Sequence, residues 1–388
     1  MGTRVCNPKD QSENTTNSCE ISFSDFEVLR AIGKGGFGKV CIVQKKFCKK
    51  MFAMKYMNKV ACIEKHAVSN VMREIRILLK LNHPFIVNLW YTFQDNEDLF
   101  VVVDLLTGGD MRFHSNNQTL KFSEKTVKLY ICEISLVLDY LQSKRIIHRD
   151  IKPDNLLLDE NGHIHLTDFN VATELQSNKS YSICGTKPYM AYEFFSDSLC
   201  NTGYSYEVDW WSLGIVAFEL LVKKRPFKIQ SNSSMNECRQ IIENSKFYSH
   251  RYSDFISGEM LDLIFSLLRL ESEYRVSSLK QIQENLLMKD INWNQVAKKQ
   301  IEPDFKPSSN HLNCDPTFEL EEMIIESKPL HKKEKRLAKQ LKNNKNQMNS
   351  ELKEALENLE KEFTVFNRES FLKKEENEKN FNSTNFPN

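Results

Sequence analysis

The stretch His148-Arg149-Asp150-Ile151-Lys152-Pro153-Asp154-Asn155 reads H-R-D-x-K-x-x-N, and Asp168-Phe169-Asn170 begins thirteen residues after its asparagine. Nothing else in the chain narrows its fold and chemistry as far. Carboxylates, an amide and a lysine at this spacing suit a hydroxyl attacking a phosphate. Asp150 orients the hydroxyl and accepts its proton, and Lys152 offsets charge developing on the phosphoryl oxygens. Asn155 and Asp168 hold the magnesium ions that bridge the nucleotide phosphates. A chance surface loop can supply a lone H-R-D, but not the octapeptide and the Asp-Phe pair together.

These residues resemble the catalytic and metal-binding loops of a eukaryotic protein kinase. Lys152 and Pro153, where tyrosine kinases carry Ala and Arg, point to the Ser/Thr branch. The resemblance implies an α+β, bilobal kinase fold with a small β-rich lobe and a larger helical lobe. It also implies ATP and Mg2+ as cofactors, Mn2+ as a substitute ion, and protein Ser/Thr hydroxyls as substrate. The upstream parts follow in order. Ile32-Gly33-Lys34-Gly35-Gly36-Phe37-Gly38-Lys39-Val40 is G-x-G-x-x-G-x-V, whose glycines let backbone N–H groups approach phosphates where a Cβ would intrude. Alone, this string could open a dinucleotide-binding unit. Here a second apolar run (Val40, Ile42, Val43) replaces the long helix such a unit needs, so it reads as a hairpin lid. Phe52-Ala53-Met54-Lys55 stands where kinases carry V-A-I-K, and Lys55 would bind the α and β phosphates. Its partner is Glu74, on a helix with Val71, Ile75 and Leu78 at helical spacing; an exposed helix glutamate is the alternative. By the same resemblance Asp104 and Leu106 offer backbone groups to adenine, Val103 sits behind it and Asp110 reaches the ribose. Ala53 completes the cofactor-binding set.

The chain has 388 residues, 40 % apolar content and a formal net charge of +1, enough for a full core plus polar tails and no overall field favouring nucleic acid. Its ten cysteines form no C-x-x-C pair, and no secretory signal or apolar run of membrane-spanning length is visible. Reduced thiols in a cytoplasmic protein are expected, and the cysteines argue against a metal site. Residues 1–22 read as a mobile polar tail, 26–286 as the kinase domain (small lobe 26–103, hinge 104–107, large lobe 108–286), 287–370 as a C-terminal tail and 371–388 as disordered. Ser123 caps a helix with Val127, Tyr130, Ile131, Ile134, Leu138 and Leu141 in steps of three and four. Asp209-Trp210-Trp211-Ser212-Leu213-Gly214 opens another, and Asp209 would hold the catalytic-loop backbone.

In the activation segment, 168–193, Ser182 stands at the position phosphorylated in related kinases, where a phosphate could pair with Arg149; an unmodified loop serine is equally open. Thr186 should bond Lys152 and Asp150. Asn170 replaces the glycine usual after Asp-Phe, and Asn tolerates left-handed backbone better than other non-glycines. Tyr192 replaces the proline of Ala-Pro-Glu, which threatens stability or substrate docking more than chemistry. Glu193 remains, with Arg275 as its expected buried partner. Asp110, Asp154 and Glu219 match acidic positions that favour Arg-bearing substrates in related kinases, while Lys187 pulls the other way.

The tail carries the subgroup. Asn313-Cys314-Asp315-Pro316-Thr317-Phe318 resembles the segment that crosses the ATP site in AGC kinases, with Phe318 near the nucleotide. Phe363-Thr364-Val365-Phe366 resembles their hydrophobic motif, with Asn367 where many carry a phosphorylated residue. Leu352, Leu356, Leu359, Phe363 and Phe366 equally form the stripe of an amphipathic helix or short coiled coil. With "IGKGGFGKVCIVQK", "DWWSLG", "LNCDPTFELEEM" and "FNRE", the chain resembles the YANK subgroup from about residue 20 to 342 and again near 362. It departs near His114-Ser115-Asn116-Asn117-Gln118 and at Tyr192, as a diverged paralogue does. The acidic block Glu319, Glu321, Glu322, Glu326 and the basic block Lys332 to Lys342 read as solvated helix faces, with a nuclear or membrane-surface role as the alternative. Gly2 permits myristoylation and Cys6 a second acyl anchor, giving weak membrane association, although Cys6 occupies the place where Ser or Thr is preferred; an unmodified tail stays open. A monomer is expected. The competing class is a non-catalytic kinase-fold scaffold, motivated by Tyr192 and the altered helix.

Overall fold

The structure is a computed structural model and describes residues 21–34 (Lys34 by its backbone alone), 38–117, 120–245, 256–309, 313 and 350–373. Alternation of side chains builds the small lobe. β1 (Phe26–Lys34), β2 (Lys39–Lys45), β3 (Met51–Asn58), β4 (Leu89–Gln94) and β5 (Asp98–Asp104) pair antiparallel in the order β1-β2-β3-β5-β4. Cys41 and Val43 of β2 and Phe52 and Met54 of β3 are fully buried on one face. There they meet an aromatic cluster in which Phe93 stacks on Phe26 at 5.7 Å and on Phe100 at 4.8 Å between ring centres. Because successive side chains point to opposite faces, Ala53 and Lys55 go to the other side. The register sets Val40 opposite Lys55 and Ala53 opposite Val103. After α1 (Lys59–Glu64), α2 (Val68–Leu78) buries Val71, Ile75, Leu78 and, unusually for a carboxylate, Glu74.

The large lobe begins with α3 (Met111–Asn116) and α4 (Glu124–Ser143). Ser123 caps α4 as the sequence implied, its hydroxyl accepting the Thr126 N–H at 3.1 Å, and the six apolar positions of the expected stripe are all buried. Two small sheets bracket the loops that matter. β6 (Ile146–Ile147) pairs with β9 (Thr173–Glu174), and β7 (Leu156–Leu158) with β8 (Ile164–Leu166). The body then comprises α5 (Leu199–Thr202), α6 (Glu207–Val222), α7 (Met235–Glu243), α8 (Gly258–Leu267), α9 (Leu279–Glu284) and α10 (Trp293–Ala297). α6 is buried along nearly its whole length, which is why its sequence is apolar all round.

The tail returns to the small lobe. α11 (Ser350–Glu362) leads into β10 (Phe366–Asn367), which pairs antiparallel with β4 and covers the open edge of the sheet. The two alternatives left open for the phenylalanines are one feature. The helical stripe ends in the docked motif, with Leu359 and Phe363 buried and Leu352, Leu356 and Phe366 half-buried. Polar contacts pin it: Lys59 to Glu360 at 2.6 Å, Lys45 to Glu369 at 2.8 Å, and the Thr92 hydroxyl to the Thr364 carbonyl at 2.6 Å. Two expected boundaries move. Ile21 packs against the small-lobe core, so the last two residues of the tail assigned to 1–22 belong to the folded lobe. Residues 368–373 are helical, so the segment assigned as disordered from 371 starts with structure.

Below the site, Arg275 is almost wholly buried and makes a two-pronged pair with Glu193, 2.6 and 2.9 Å, while its guanidinium lies 5.0 Å from the Trp211 ring centre. Breaking such a pair leaves an uncompensated buried charge, at a cost of about 3–5 kcal/mol. Glu193→Gln should therefore lower stability by roughly that amount in urea unfolding followed by tryptophan fluorescence; a loss below about 1 kcal/mol would show the pair to be dispensable.

Candidate active site

The catalytic loop is held from below. Asp209, in the first turn of α6, is 3 % exposed and accepts the backbone N–H of His148 and of Arg149, each at 2.8 Å. This supports a loop in which Arg149 takes φ +67°, a left-handed conformation that a non-glycine adopts only when its surroundings impose it. The His148 ring meets Phe169 edge-on at 4.8 Å, and its Nε2 contacts the Thr167 carbonyl at 3.0 Å. Phe169 is thereby buried, and Asp168 beside it takes φ +64°. The turn expected to fall on Asn170 falls instead on Asp168: Asn170 is not among the described residues with positive φ, so no glycine is needed there. Its side-chain oxygen approaches Lys55 Nζ at 3.5 Å.

Asp150 is the centre of a closed network. Its Oδ2 accepts Lys152 Nζ at 2.7 Å, its Oδ1 accepts the Thr186 hydroxyl at 2.6 Å, and Lys152 also reaches Thr186 Oγ1 at 2.9 Å. The Asn155 amide nitrogen donates to Asp150 O and Oδ2, at 2.8 and 3.0 Å, which directs the amide oxygen away as a metal-type donor. Burial by itself pushes the Asp150 carboxyl up, but the Lys152 and Thr186 hydrogen bonds outweigh it and hold the group below the usual aspartate range. Asp150 is thus ionised at any physiological pH and can only accept. The Ser182 hydroxyl lies 2.6 Å from Arg149 NH1, the juxtaposition a phosphate there would need.

Across the cleft Lys55 Nζ donates to both oxygens of Glu74, at 2.9 and 2.7 Å. Burial lowers the lysine's affinity for its proton; the Glu74 charge and hydrogen bonds, with Asp168 behind them, more than restore it, so Lys55 is held above its ordinary value. The remaining residues expected to bind the cofactor line the cleft. Val40 and Val103 are half-buried, and Ala53 buried, on the cleft face of the sheet, and Ile32 is half-buried on β1. Lys34 pairs with Lys39 at the end of the hairpin, whereas Gly35, Gly36 and Phe37 lie outside the described residues. Gly33 has room on the protein side, the nearest atom to a Cβ being Val40 Cβ at 3.8 Å. Gly38 does not: a Cβ would sit 2.4 Å from the Tyr56 carbonyl, so this glycine serves strand packing. At the hinge, the Asp104 N–H donates to Asn88 O at 3.1 Å, so what Asp104 offers an adenine is its carbonyl. Leu106 is half-buried. Asp110 caps α3 through the Phe113 N–H at 2.7 Å, which occupies one carboxylate oxygen. The donor chemistry (paired lysine, acid and amide oxygens, apolar walls) fits a nucleotide with divalent cations, since magnesium is commonly held by one or two carboxylates plus phosphates.

Two residues near the hinge are not foreseen from the sequence. Leu157 is half-buried between the fully buried Leu156 and Leu158 and bridges to Asp110, so alternation along β7 turns it towards the hinge. His114 was seen only as a departure. It is buried, with Nε2 2.6 Å from the Gly108 carbonyl and its ring 5.1 Å from Phe305, and so braces the hinge. Asn313 does reach the hinge, donating to the Thr107 carbonyl at 3.0 Å, and a Cβ on Gly109 would meet its carbonyl at 2.0 Å; Phe318, Gly2, Cys6 and both charge blocks lie outside the described residues. Tyr192, expected to threaten stability or substrate docking, has a partner of its own. It opens a 3-10 turn, Tyr192–Phe195, and its hydroxyl donates to Glu243 of α7 at 2.6 Å.

The docked tail bears on the Lys55–Glu74 pair, because α11 packs on α1 and ends beside α2, with Glu362 3.9 Å from Arg76. Burying a phenylalanine stabilises by about 1.5–3 kcal/mol before ordering costs. Phe363→Ala with Phe366→Ala should therefore cut activity of the monomer about tenfold or more, and the free tail peptide should restore a tail-truncated chain. Lost self-association in sedimentation with full monomer activity would contradict this.

The protein kinase domain model matches residues 26–288. Serine/threonine-protein kinase 32B of Homo sapiens is 54 % identical over 362 residues, covering 92 % of this chain and 86 % of that protein. Serine/threonine-protein kinase 32C of Homo sapiens is 50 % identical over 364 residues, 92 % of this chain and 74 % of that protein. The RAC family serine/threonine-protein kinase homolog of Dictyostelium discoideum is 36 % identical over 306 residues, 77 % of this chain and 66 % of that protein. A catalytic loop locked on Asp209, an intact Lys55–Glu74 pair and these likenesses lead to one conclusion: the chain belongs to the protein kinase family, in the YANK subgroup of serine/threonine-protein kinases 32B and 32C.

Proposed function

We propose that this chain transfers the γ-phosphoryl group of Mg-ATP to serine and threonine hydroxyls of proteins, with Mn2+ able to replace Mg2+, acting as a monomer in the cytoplasm. The observation that carries the reading is the network in which Asp150 meets Lys152 and Thr186 while Asn155 is fixed on the same carboxylate. Bound Mg-ATP supplies the phosphoryl group and the cations that neutralise it. Asp150 orients the incoming hydroxyl and takes its proton late, as its depressed pKa suits a loose transition state with little need for an early base. Lys152 stands beside it as the cation for the phosphoryl oxygens. Asn155 and Asp168 would hold the metal, and Lys55, kept charged by Glu74, the nucleotide phosphates. The end of the apolar stripe, Leu359 on α11 with Phe363 and Phe366 after it, packs within the chain, which supports the monomer. Among the described residues no helix is long and apolar enough to cross a membrane; weak membrane association through Gly2 and Cys6 remains part of the proposal.

The scaffold reading had two motives, and both Tyr192 and His114 have specific partners. Asp150→Asn should lower turnover by about 10²–10⁴ with ATP binding retained. Asp168→Asn should also weaken Mg-ATP binding. These are read by radiolabelled phosphate transfer and nucleotide titration. A wild-type chain that binds ATP but transfers no phosphate to any peptide in a degenerate library, or to itself, would return the scaffold.

A further inference from the structure

Beside the Asp150 network lies a cavity of about 270 Å3 whose walls include Lys152, Thr186, Asp154, Tyr189, Glu219 and Arg112. Lys152 and Thr186 both touch Asp150, so a peptide presenting a hydroxyl to Asp150 lays a flanking side chain into this space. Two carboxylates face it, one of them the 7 % exposed Glu219. A carboxylate so far from water needs a cation and hydrogen-bond donors. In a cavity open to substrate, the natural group to supply both is the guanidinium of a peptide arginine, whose planar fork matches a carboxylate.

Here the chain supplies it. Arg112, one residue into α3, sends its guanidinium into the cavity. NH1 donates to Glu219 Oε1 at 2.9 Å, Nε reaches Asp154 Oδ2 at 3.3 Å, and NH2 donates to the Tyr189 hydroxyl. That hydroxyl in turn donates to Glu219 Oε2 at 2.6 Å, so both oxygens of the buried carboxylate are engaged from inside. A second guanidinium, Arg225, also lines the cavity, with its centre 6.0 Å from that of the Tyr189 ring. The third acidic position, Asp110, spends an oxygen on capping the helix that carries Arg112. Three cationic side chains, Arg112, Lys152 and Arg225, thus meet two carboxylates, Asp154 and Glu219, in the lining.

We propose that Arg112 occupies the place of a substrate arginine, so that this kinase, unlike one whose acidic positions are open, takes peptides with an uncharged or acidic side chain in this cavity and does not select arginine there. The inference rests on the kinase reading and narrows its substrate class. It reverses the basic preference that Asp110, Asp154 and Glu219 imply when they are read as a sequence.

The test uses the full chain with Mg2+ and a non-hydrolysable ATP analogue. Affinity for paired peptides, identical but for Arg or Ala at the positions within three residues before the acceptor serine, is measured by fluorescence anisotropy, so the result does not depend on turnover. Wild type should bind the Arg and Ala peptides within about twofold, and Arg112→Gln should bind the Arg peptide about tenfold tighter, a gain typical of one charge-assisted hydrogen bond. Glu219→Gln, nearly isosteric, serves if Arg112→Gln fails to fold, and should leave the Arg-to-Ala ratio within twofold. Wild type favouring the Arg peptide tenfold, with that preference lost in Glu219→Gln or unchanged in Arg112→Gln, would overturn the proposal. A degenerate-library transfer assay run in parallel separates the two readings: phosphate transfer with strong arginine selection defeats only this inference, whereas no transfer at all defeats the kinase reading and this inference with it.

Discussion

Two hydrogen bonds accepted by one buried carboxylate carry the site. Asp209 has its oxygens on the N–H groups of His148 and Arg149, and everything catalytic hangs from those two residues. Arg149 is held in a left-handed conformation that its Cβ disfavours, and that turn delivers Asp150 to Lys152 and Thr186. Its side chain extends to the Val171 carbonyl and Ser182, tying the activation segment to the same point. His148, through Phe169, fixes the left-handed Asp168. Arg149 bonds the Asp209 anchor directly, and Asp168 is tied to it through Phe169 and His148. Local strain persists where surrounding structure over-determines it, and here that structure is the apolar helix α6.

The small lobe solves a different problem, which is to keep a lysine charged while half out of water. Glu74 does this from α2, a helix whose other inward positions are apolar. The pair survives only while α2 stays close to the sheet. The tail contributes by filling the space beside α1 with Leu359 and Phe363 and by adding β10 to the open edge of β4. Glu369, through Lys45 and Tyr91, provides a fixed negative charge two residues after Asn367, where no hydroxyl is available for phosphorylation. Tail docking in this chain is built from constitutive contacts.

Much of this was legible in the sequence because the chemistry demands local spacing. The octapeptide places Asp150, Lys152 and Asn155 within six residues, and period-2 alternation puts Lys55 on the cleft side of β3 whatever the rest of the chain does. Glu74, Asp209 and the Glu193–Arg275 pair were legible only through resemblance, since contacts across 19, 60 and 82 residues leave no periodic trace. Backbone conformation was the least visible. The left-handed residue was expected at Asn170, from its side-chain type, and lies at Asp168, where the packing of Phe169 imposes it. Tyr192 and His114 read only as departures because a sequence shows the residue lost and not the partner gained; Glu243 and the Gly108 carbonyl are those partners. Arg112 went unnoticed for the same reason: an arginine on a short exposed-looking helix gives no sign that its fork ends on Glu219.

The dependence of the site on Asp209 can be measured directly by replacing it with asparagine, which keeps the shape but turns one acceptor into a donor facing a backbone N–H. Native-state hydrogen exchange at the His148 and Arg149 amides, run with peptide turnover on the same samples, reads the anchor and its consequence together. Both amides should exchange near the global opening rate in the wild type and at least about tenfold faster in Asp209→Asn, an effect of about 1.4 kcal/mol or more, with turnover falling and ATP affinity nearly kept. Unchanged protection of both amides, or lost protection with turnover intact, would contradict the view that this carboxylate holds the catalytic loop.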